Sequence, residues 1–165
     1  MATEKSGRSA KRKLDSAMNA PAEITIRPVA RADFDAIHEL WQAAGLSVRP
    51  NGRDARPEFL KQLARFPTSY LIAEHEGKAV GVIFGTHDLR RGWLNRLAIH
   101  PDYRRRGIAR RLIAACEQAL YAEGIGITVS LVEEENTASA KIFADAGYSA
   151  QIPVRYFYKR TRPDI

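Results

Sequence analysis

At 165 residues, with 45% hydrophobic and 27% charged side chains, the chain fits one domain long enough to bury a core. No apolar run reaches the ~18 residues that suggest a membrane span, and the first twenty residues are basic with no apolar stretch, which excludes a secretory signal. The single Cys116 excludes an internal disulfide, and the formal net charge of +7 is shared between the segment ending at Ala20 and an arginine cluster at 104–111, a balance that predicts a cytoplasmic protein.

Residues 1–21 are polar with no sustained period, which predicts a disordered extension ahead of one domain spanning 22–165. Lys11-Arg12-Lys13 fits a solvated basic tail better than a nuclear-localisation or nucleic-acid patch. Residues 23–28 (EITIRP) alternate as a first strand. From Asp33, the apolar Phe34, Ile37, Trp41 and Ala44 mark a helix that Gly45 ends. A loop with Pro50, Asn51 and Gly52 follows, then a second helix near Pro57 that buries Phe59, Leu60 and Leu63.

Residues 69–75 and 79–86 form a hairpin across Glu76-Gly77-Lys78, with Gly81 and Gly85 marking close backbone approach or a bulge. A strand over 93–99 follows, in which Leu97 and Ile99 alternate with smaller or polar neighbours until Pro101 breaks the ladder. From about Arg106, Ile108, Leu112, Cys116, Ala119 and Leu120 recur at helical spacing, and Gly124 stands at the C-terminal cap. Cys116 on that apolar face is a small core residue rather than a nucleophile. A β-rich run over 126–132 then pairs parallel to the 93–99 strand after the helical crossover. Asn136 caps a helix carrying Ala140, Phe143 and Ala144, closed by Gly147, and Tyr148 with residues 154–159 supplies a last pair of strands.

The chemistry concentrates between the central strand and its helix. Arg104-Arg105-Arg106-Gly107-Ile108-Ala109 can turn several backbone amides toward one point at the positive end of a helix dipole, a cradle for a phosphate or pyrophosphate. Small residues at Gly107 and Ala109 let the backbone approach such a ligand. None of His38, His75, His87 and His100 forms a metal spacing with a second ligand, so no metal site is expected and surface or turn roles are.

Arg-x-x-Gly-x-Ala after a Leu-x-Ile-x-Pro strand resembles the acetyl-CoA signature of the GNAT superfamily of N-acetyltransferases. A second signature, Asn136, Phe143, Gly147 and Tyr148 in order, resembles that family's Asn-x6-Tyr-x3-Gly-Phe pattern. The likeness covers about residues 23–160 and is nearest in flavour to the YpeA-like and ribosomal-protein N-terminal branch. It implies a mixed, mostly antiparallel α/β sheet with a splayed parallel strand pair and about four flanking helices.

It also implies acetyl transfer from acetyl-CoA to a primary amine by direct attack in a ternary complex. The acceptor is a small amine, a protein N-terminus or a lysine. By the resemblance, Arg104, Arg105, Arg106, Gly107, Ile108, Ala109 and Arg110 hold the pyrophosphate. Leu97, Ala98 and Ile99 line the pantetheine, with the Ile99 amide toward the thioester oxygen, and Asn136 and Phe143 flank the far side of the arm. The second helix and its preceding loop would wall the acceptor. Arg49, Arg53 and Arg56 are thereby candidates to meet an acidic acceptor, or else belong to a solvated loop.

Three departures bear on mechanism. Phe143 stands where many members have a proton-donating Tyr, Leu131 where the ribosomal-protein enzymes have a Glu base, and Asn95 where others carry a Glu. Candidates for proton transfer are Glu133, a water held by Asn95, Asp88 and Tyr148. Two rival readings remain: a catalytically weak CoA-binding sensor, and a nucleic-acid module, which the lack of aromatic residues among the loop arginines disfavours. No membrane partner is expected, and a homodimer is left open.

Overall fold

A computed structural model describes residues 23–150, 157 and 159–161. The extension over 1–21 and four of the six residues of the strand expected over 154–159 lie outside the described residues. The elements are β1 (Thr25–Pro28), α1 (Phe34–Ala44), α2 (Arg56–Arg65), β2 (Tyr70–His75), β3 (Lys78–His87), β4 (Gly92–Ile99), α3 (Ile108–Ala122), β5 (Thr128–Val129) and α4 (Thr137–Asp145). Short 3-10 turns at Arg31–Asp33 and Pro101–Tyr103 lead into α1 and toward α3.

Among the described residues, five strands lie in sequence order, β1 to β4 antiparallel and β5 parallel to β4. On one face α1 and α2 bury Phe34, Ile37, Trp41, Phe59 and Leu63 against Tyr70, Ile72, Val82 and Phe84. On the other, α3 presses Ile108, Leu112, Cys116 and Leu120 onto Leu71, Val80, Ile83 and Leu94. Val80 and Val82 therefore face opposite layers despite equal parity. The cause is a β2–β3 register shift: Ala73 pairs with Gly81 but Glu74 with Ala79, so Val80 is an extra residue that resets the alternation. The helix α3 lies close on the sheet because Gly81 and Gly85 have no side chain. A Cβ there would come within 2.9 Å of Ile99 Cδ1 or 2.6 Å of Cys116 Sγ. Close approach is observed at both glycines, and the other reading, a bulge, is observed beside Gly81 at Val80.

Two expected elements change in extent. The run over 126–132 keeps only Thr128–Val129 as strand; beyond it, Ser130 Oγ donates to Leu94 O at 3.0 Å and the ladder stops. The third helix begins at Ile108 rather than near Arg106, because Gly107 at φ 74° occupies its N-cap. His38, for which a surface or turn role was expected, is instead half-buried between Phe34 and Trp41, with ring centroids at 4.1 and 5.2 Å.

Candidate active site

The cleft follows from where the parallel pair ends. β4 and β5 pair only at Gly92/Thr128 and Trp93/Val129, and the rest of β4 has no described strand on that side. The space so opened is a cleft of about 1450 Å³ between β4, the loop before α3, and α4. β4 presents polar backbone to it. His100 N–H donates to Val80 O at 2.9 Å, so by antiparallel alternation its neighbour Ile99 aims its amide away from β3 and toward the gap. Leu97, Ala98 and Ile99 all line the cleft.

β4 is also bulged. Val82 pairs with Ala98 and Phe84 with Asn95, so Ile83 alone faces Arg96 and Leu97. Arg96 takes the strain of the extra residue at φ 55°, in the left-handed region.

The loop ahead of α3 supplies the other end. Arg105 at φ 61° and Gly107 at φ 74° bend the chain, and none of the amides of residues 105–110 donates to another described residue. They stand at the start of a 15-residue helix, where the dipole favours negative charge. A Cβ on Gly107 would meet no protein atom within 4 Å, so that position opens onto free space. Arg104, Arg105, Gly107, Ile108, Ala109 and Arg110 line the cleft. The Arg106 side chain does not: it folds back to donate to Asp102 O at 3.0 Å and lies over the Tyr103 ring. The unpaired amides and their guanidiniums fit a pyrophosphate.

The far wall is α4. Asn136 lines the cleft and caps the helix, its Oδ1 accepting from Ser139 N at 3.0 Å. Phe143 is 7% exposed and turns its ring edge-on to Tyr148 at 5.1 Å. Tyr148 itself is not among the cleft-lining residues. Its hydroxyl donates to Glu117 Oε1 at 2.7 Å and lies 3.0 Å from Thr128 Oγ1. Burial first, then the Glu117 hydrogen bond, raises its pKa well above the ordinary phenol value. Glu133 lines the cleft and is exposed. Asp88 is fully exposed on the β3–β4 turn, where hydrogen bonds from Arg91 and Arg90 amides hold its carboxyl below the ordinary range.

A second, smaller cavity of about 340 Å³ adjoins the first and shares Arg53, Asn95 and Arg96 with it. Trp41, Phe59, Tyr70 and Phe84 give it an aromatic lining, and Asp54, Gln62 and Thr86 add polar groups to it. Asn95 Nδ2 donates weakly to Thr86 Oγ1 and Trp93 O, at 3.4 and 3.3 Å. Asp54, 8% exposed, accepts from Arg49 N at 2.8 Å and meets Arg96 Nη2 at 3.4 Å. Arg96 also donates from Nη1 to Ser47 O at 2.9 Å and lies 3.9 Å over the Trp41 ring. Among the expected acceptor arginines, Arg56 is committed elsewhere, to Asp35 at 2.7 Å and the Phe34 ring.

The residues that sequence reading missed here are Arg96 and Asp54. Simple alternation could not have found Arg96: Leu94 packs in the α3 layer and Ala98 in the α1–α2 layer, because the bulge between them resets the faces of β4.

A match to the acetyltransferase (GNAT) family covers residues 34–148. The chain belongs to that family. A Photorhabdus laumondii protein named acetyltransferase is 38% identical over 116 residues, 70% of this chain and 80% of the relative. A Sodalis glossinidius protein of the same name is 34% identical over 141 residues, 86% of this chain and 98% of its own length. The fold is similar to that of the PaiA N-acetyltransferase from Thermoplasma acidophilum, solved with coenzyme A: TM-score 0.71, 17% identity, 80% of this chain and 93% of that one. As a GNAT acetyltransferase, the chain has the mixed, mostly antiparallel sheet with a parallel pair, flanked among the described residues by four helices, that the resemblance implied.

Proposed function

We propose that this GNAT domain, residues 22–165, transfers acetyl from acetyl-CoA to a primary amine by direct attack while both are bound. The observation that carries the reading is the run of unpaired amides at residues 105–110, beside the cleft and at a helix N-terminus. Acetyl-CoA brings the pyrophosphate such a cradle suits and the thioester that supplies the acetyl group. Arg104, Arg105 and Arg110 add charge around it, and Arg106 contributes its amide rather than its side chain. Leu97 and Ala98 line the arm, Ile99 N–H donates to the thioester oxygen, and Asn136 and Phe143 close the far side.

The amine nitrogen bonds to the acetyl carbon as the carbon–sulfur bond breaks, and CoA leaves as a thiolate. One proton leaves the amine. With Asn95 Nδ2 engaged by Thr86 and Trp93, its Oδ1 is left to accept from the amine or a water, a positioning role. Glu133, at the cleft wall, is the carboxylate we assign to take the proton. Tyr148 holds α4 against α3 and β5 through Glu117 and Thr128. Much of the rate gain would come from orientation, which this division of labour supplies without a strong acid.

Calorimetry with acetyl-CoA tests the reading: binding by the wild type, lost in Gly107→Glu, followed by free-thiol release with amines. No binding by the wild type would sink it. Binding with no turnover on a broad amine panel would favour a CoA sensor, the reading that Phe143 and the exposed Leu131 leave open at the usual acid and base positions.

A further inference from the structure

The smaller cavity has a specific chemistry. Its apolar lining is aromatic: Tyr70 stacks on Phe84 at 3.9 Å and 5°, and the edge-on Trp41 ring lies 5.4 Å from Phe84. Its ionisable lining is Arg53, Asp54 and Arg96, an excess of one positive charge. The carboxylate is already flanked by two guanidiniums. One Asp54 oxygen accepts from Arg49 N, the other faces Arg96, and Arg53 Nε stands at 3.9 Å. Among the described residues, no second carboxylate lines the cavity to receive a further ammonium group.

Arg96 is held between Ser47 O, Asp54 and the Trp41 ring, and although its buried Nε and Nη2 have no hydrogen-bond partner among the described residues, it is fixed in place. Arg53 is not. Its side chain is 59% exposed, its one described ion pair is the long Nε contact, and its terminal nitrogens donate to no described residue. Gln62 nonetheless anchors its backbone, donating to Arg53 O at 3.2 Å while accepting from Tyr70 OH at 3.1 Å. Arg53 and Asn95 both line the two cavities, so a guanidinium and the amine-positioning amide share the passage between them.

We infer that the acceptor is a small α-amino acid with an apolar or aromatic side chain, its carboxylate held by Arg53, its amine at Asn95 and its side chain on the rings of the smaller cavity. An α-amino acid carries amine and carboxylate on one carbon, so both can reach the passage while the third substituent meets the aromatic lining. The cavity, about 340 Å³, is at the small end of the ~300–1,000 Å³ range of small-molecule sites. A polyamine would meet an excess of positive charge. This inference rests on the acetyl-transfer reading above.

The test uses the full chain, acetyl-CoA and free-thiol detection with L-phenylalanine, L-phenylalaninamide, phenethylamine and spermidine. The expected result is a kcat/KM for L-phenylalanine at least about tenfold above the amide and phenethylamine, the scale of a charged hydrogen bond. Arg53→Ala should collapse that ratio to within about threefold, mainly through a higher KM for L-phenylalanine, and Arg53→Lys should restore part of it. Equal rates for L-phenylalanine and phenethylamine, a preference for spermidine, or a ratio that survives Arg53→Ala would overturn the inference. Calorimetry in parallel separates the two failures. Acetyl-CoA bound and other amines acetylated, but no amino acid, removes this inference alone; no acetyl-CoA binding removes the acetyl-transfer reading with it.

Discussion

The two ends of the cleft are built from different parts of the chain. At 104–110 the ligand-facing surface is largely backbone: consecutive amides turned outward by positive φ at Arg105 and Gly107, with guanidiniums at the edge. At the acceptor end it is side chains, drawn from α1, the 45–55 loop, β3 and the bulge in β4, and held by Arg96 and Asp54. A backbone cradle depends on a few neighbouring residues and tolerates changes elsewhere. A side-chain pocket depends on contacts between distant segments. Binding of acetyl-CoA and handling of the acceptor should therefore be separable by mutation.

The largest effect is expected at Gly107. Its Cβ would meet no protein atom, so the fold should survive Gly107→Glu with roughly 1–2 kcal/mol of backbone strain from φ 74°. A carboxylate among the outward amides would repel a pyrophosphate, and acetyl-CoA affinity should fall by roughly 100-fold or more in calorimetry. Gly107→Ala separates strain from charge, and should lose far less.

Asp54→Ala attacks the other end. It frees Arg49 N and leaves the largely buried Arg96 without its carboxylate, which should cost about 2–3 kcal/mol in urea unfolding. Acceptor KM should rise about tenfold or more as the 45–55 loop loosens, while acetyl-CoA affinity stays within about threefold. If acetyl-CoA binding fell in step, the two ends would be coupled and the comparison broken.

Tyr148→Phe comes next in size. The Glu117 and Thr128 hydrogen bonds vanish, for roughly 1 kcal/mol of stability, and kcat should change by less than about threefold. A fall of a hundredfold with acetyl-CoA binding intact would put the phenol in the proton path instead.

Legibility in the sequence follows the same division. The loop and its helix could be read because their geometry is local: Pro101 stops the strand, Gly107 turns the chain, and Ile108, Leu112, Cys116 and Leu120 share a face. Asn136 as N-cap and Gly147, at φ 93°, past the end of α4 were readable for the same reason. The bulge at Arg96 was not, because it arises from where Val82 and Phe84 find partners on another strand. The short β5 and the half-buried His38 share that cause: propensity along the chain does not report what a neighbouring segment covers.

His38 offers the smallest and most discriminating test. It lies against Trp41, whose ring also carries Arg96, so it belongs to the acceptor end. Burial lowers its pKa below the ordinary 6.5. Asp54 and Asp35 oppose that shift and Arg96 adds to it, but burial is the largest cause. Below pH 6.5 the unfolded chain therefore takes up a proton that the folded one resists, and this contribution to stability, full above pH 6.5, is lost as pH falls toward the folded value. Urea midpoints measured from pH 8 to pH 5 should decline more in the wild type than in His38→Gln, the difference opening only below pH 6.5. Over the same range, acceptor KM in the wild type should rise more than the acetyl-CoA Kd, since the protonating ring touches one end of the cleft and not the other. Parallel midpoint curves for wild type and variant would mean that Asp54 and Asp35 offset burial in full. A shared pH response of KM and Kd would mean instead that the backbone cradle feels what happens at Trp41, and the separation of the two ends would fail at its most sensitive point.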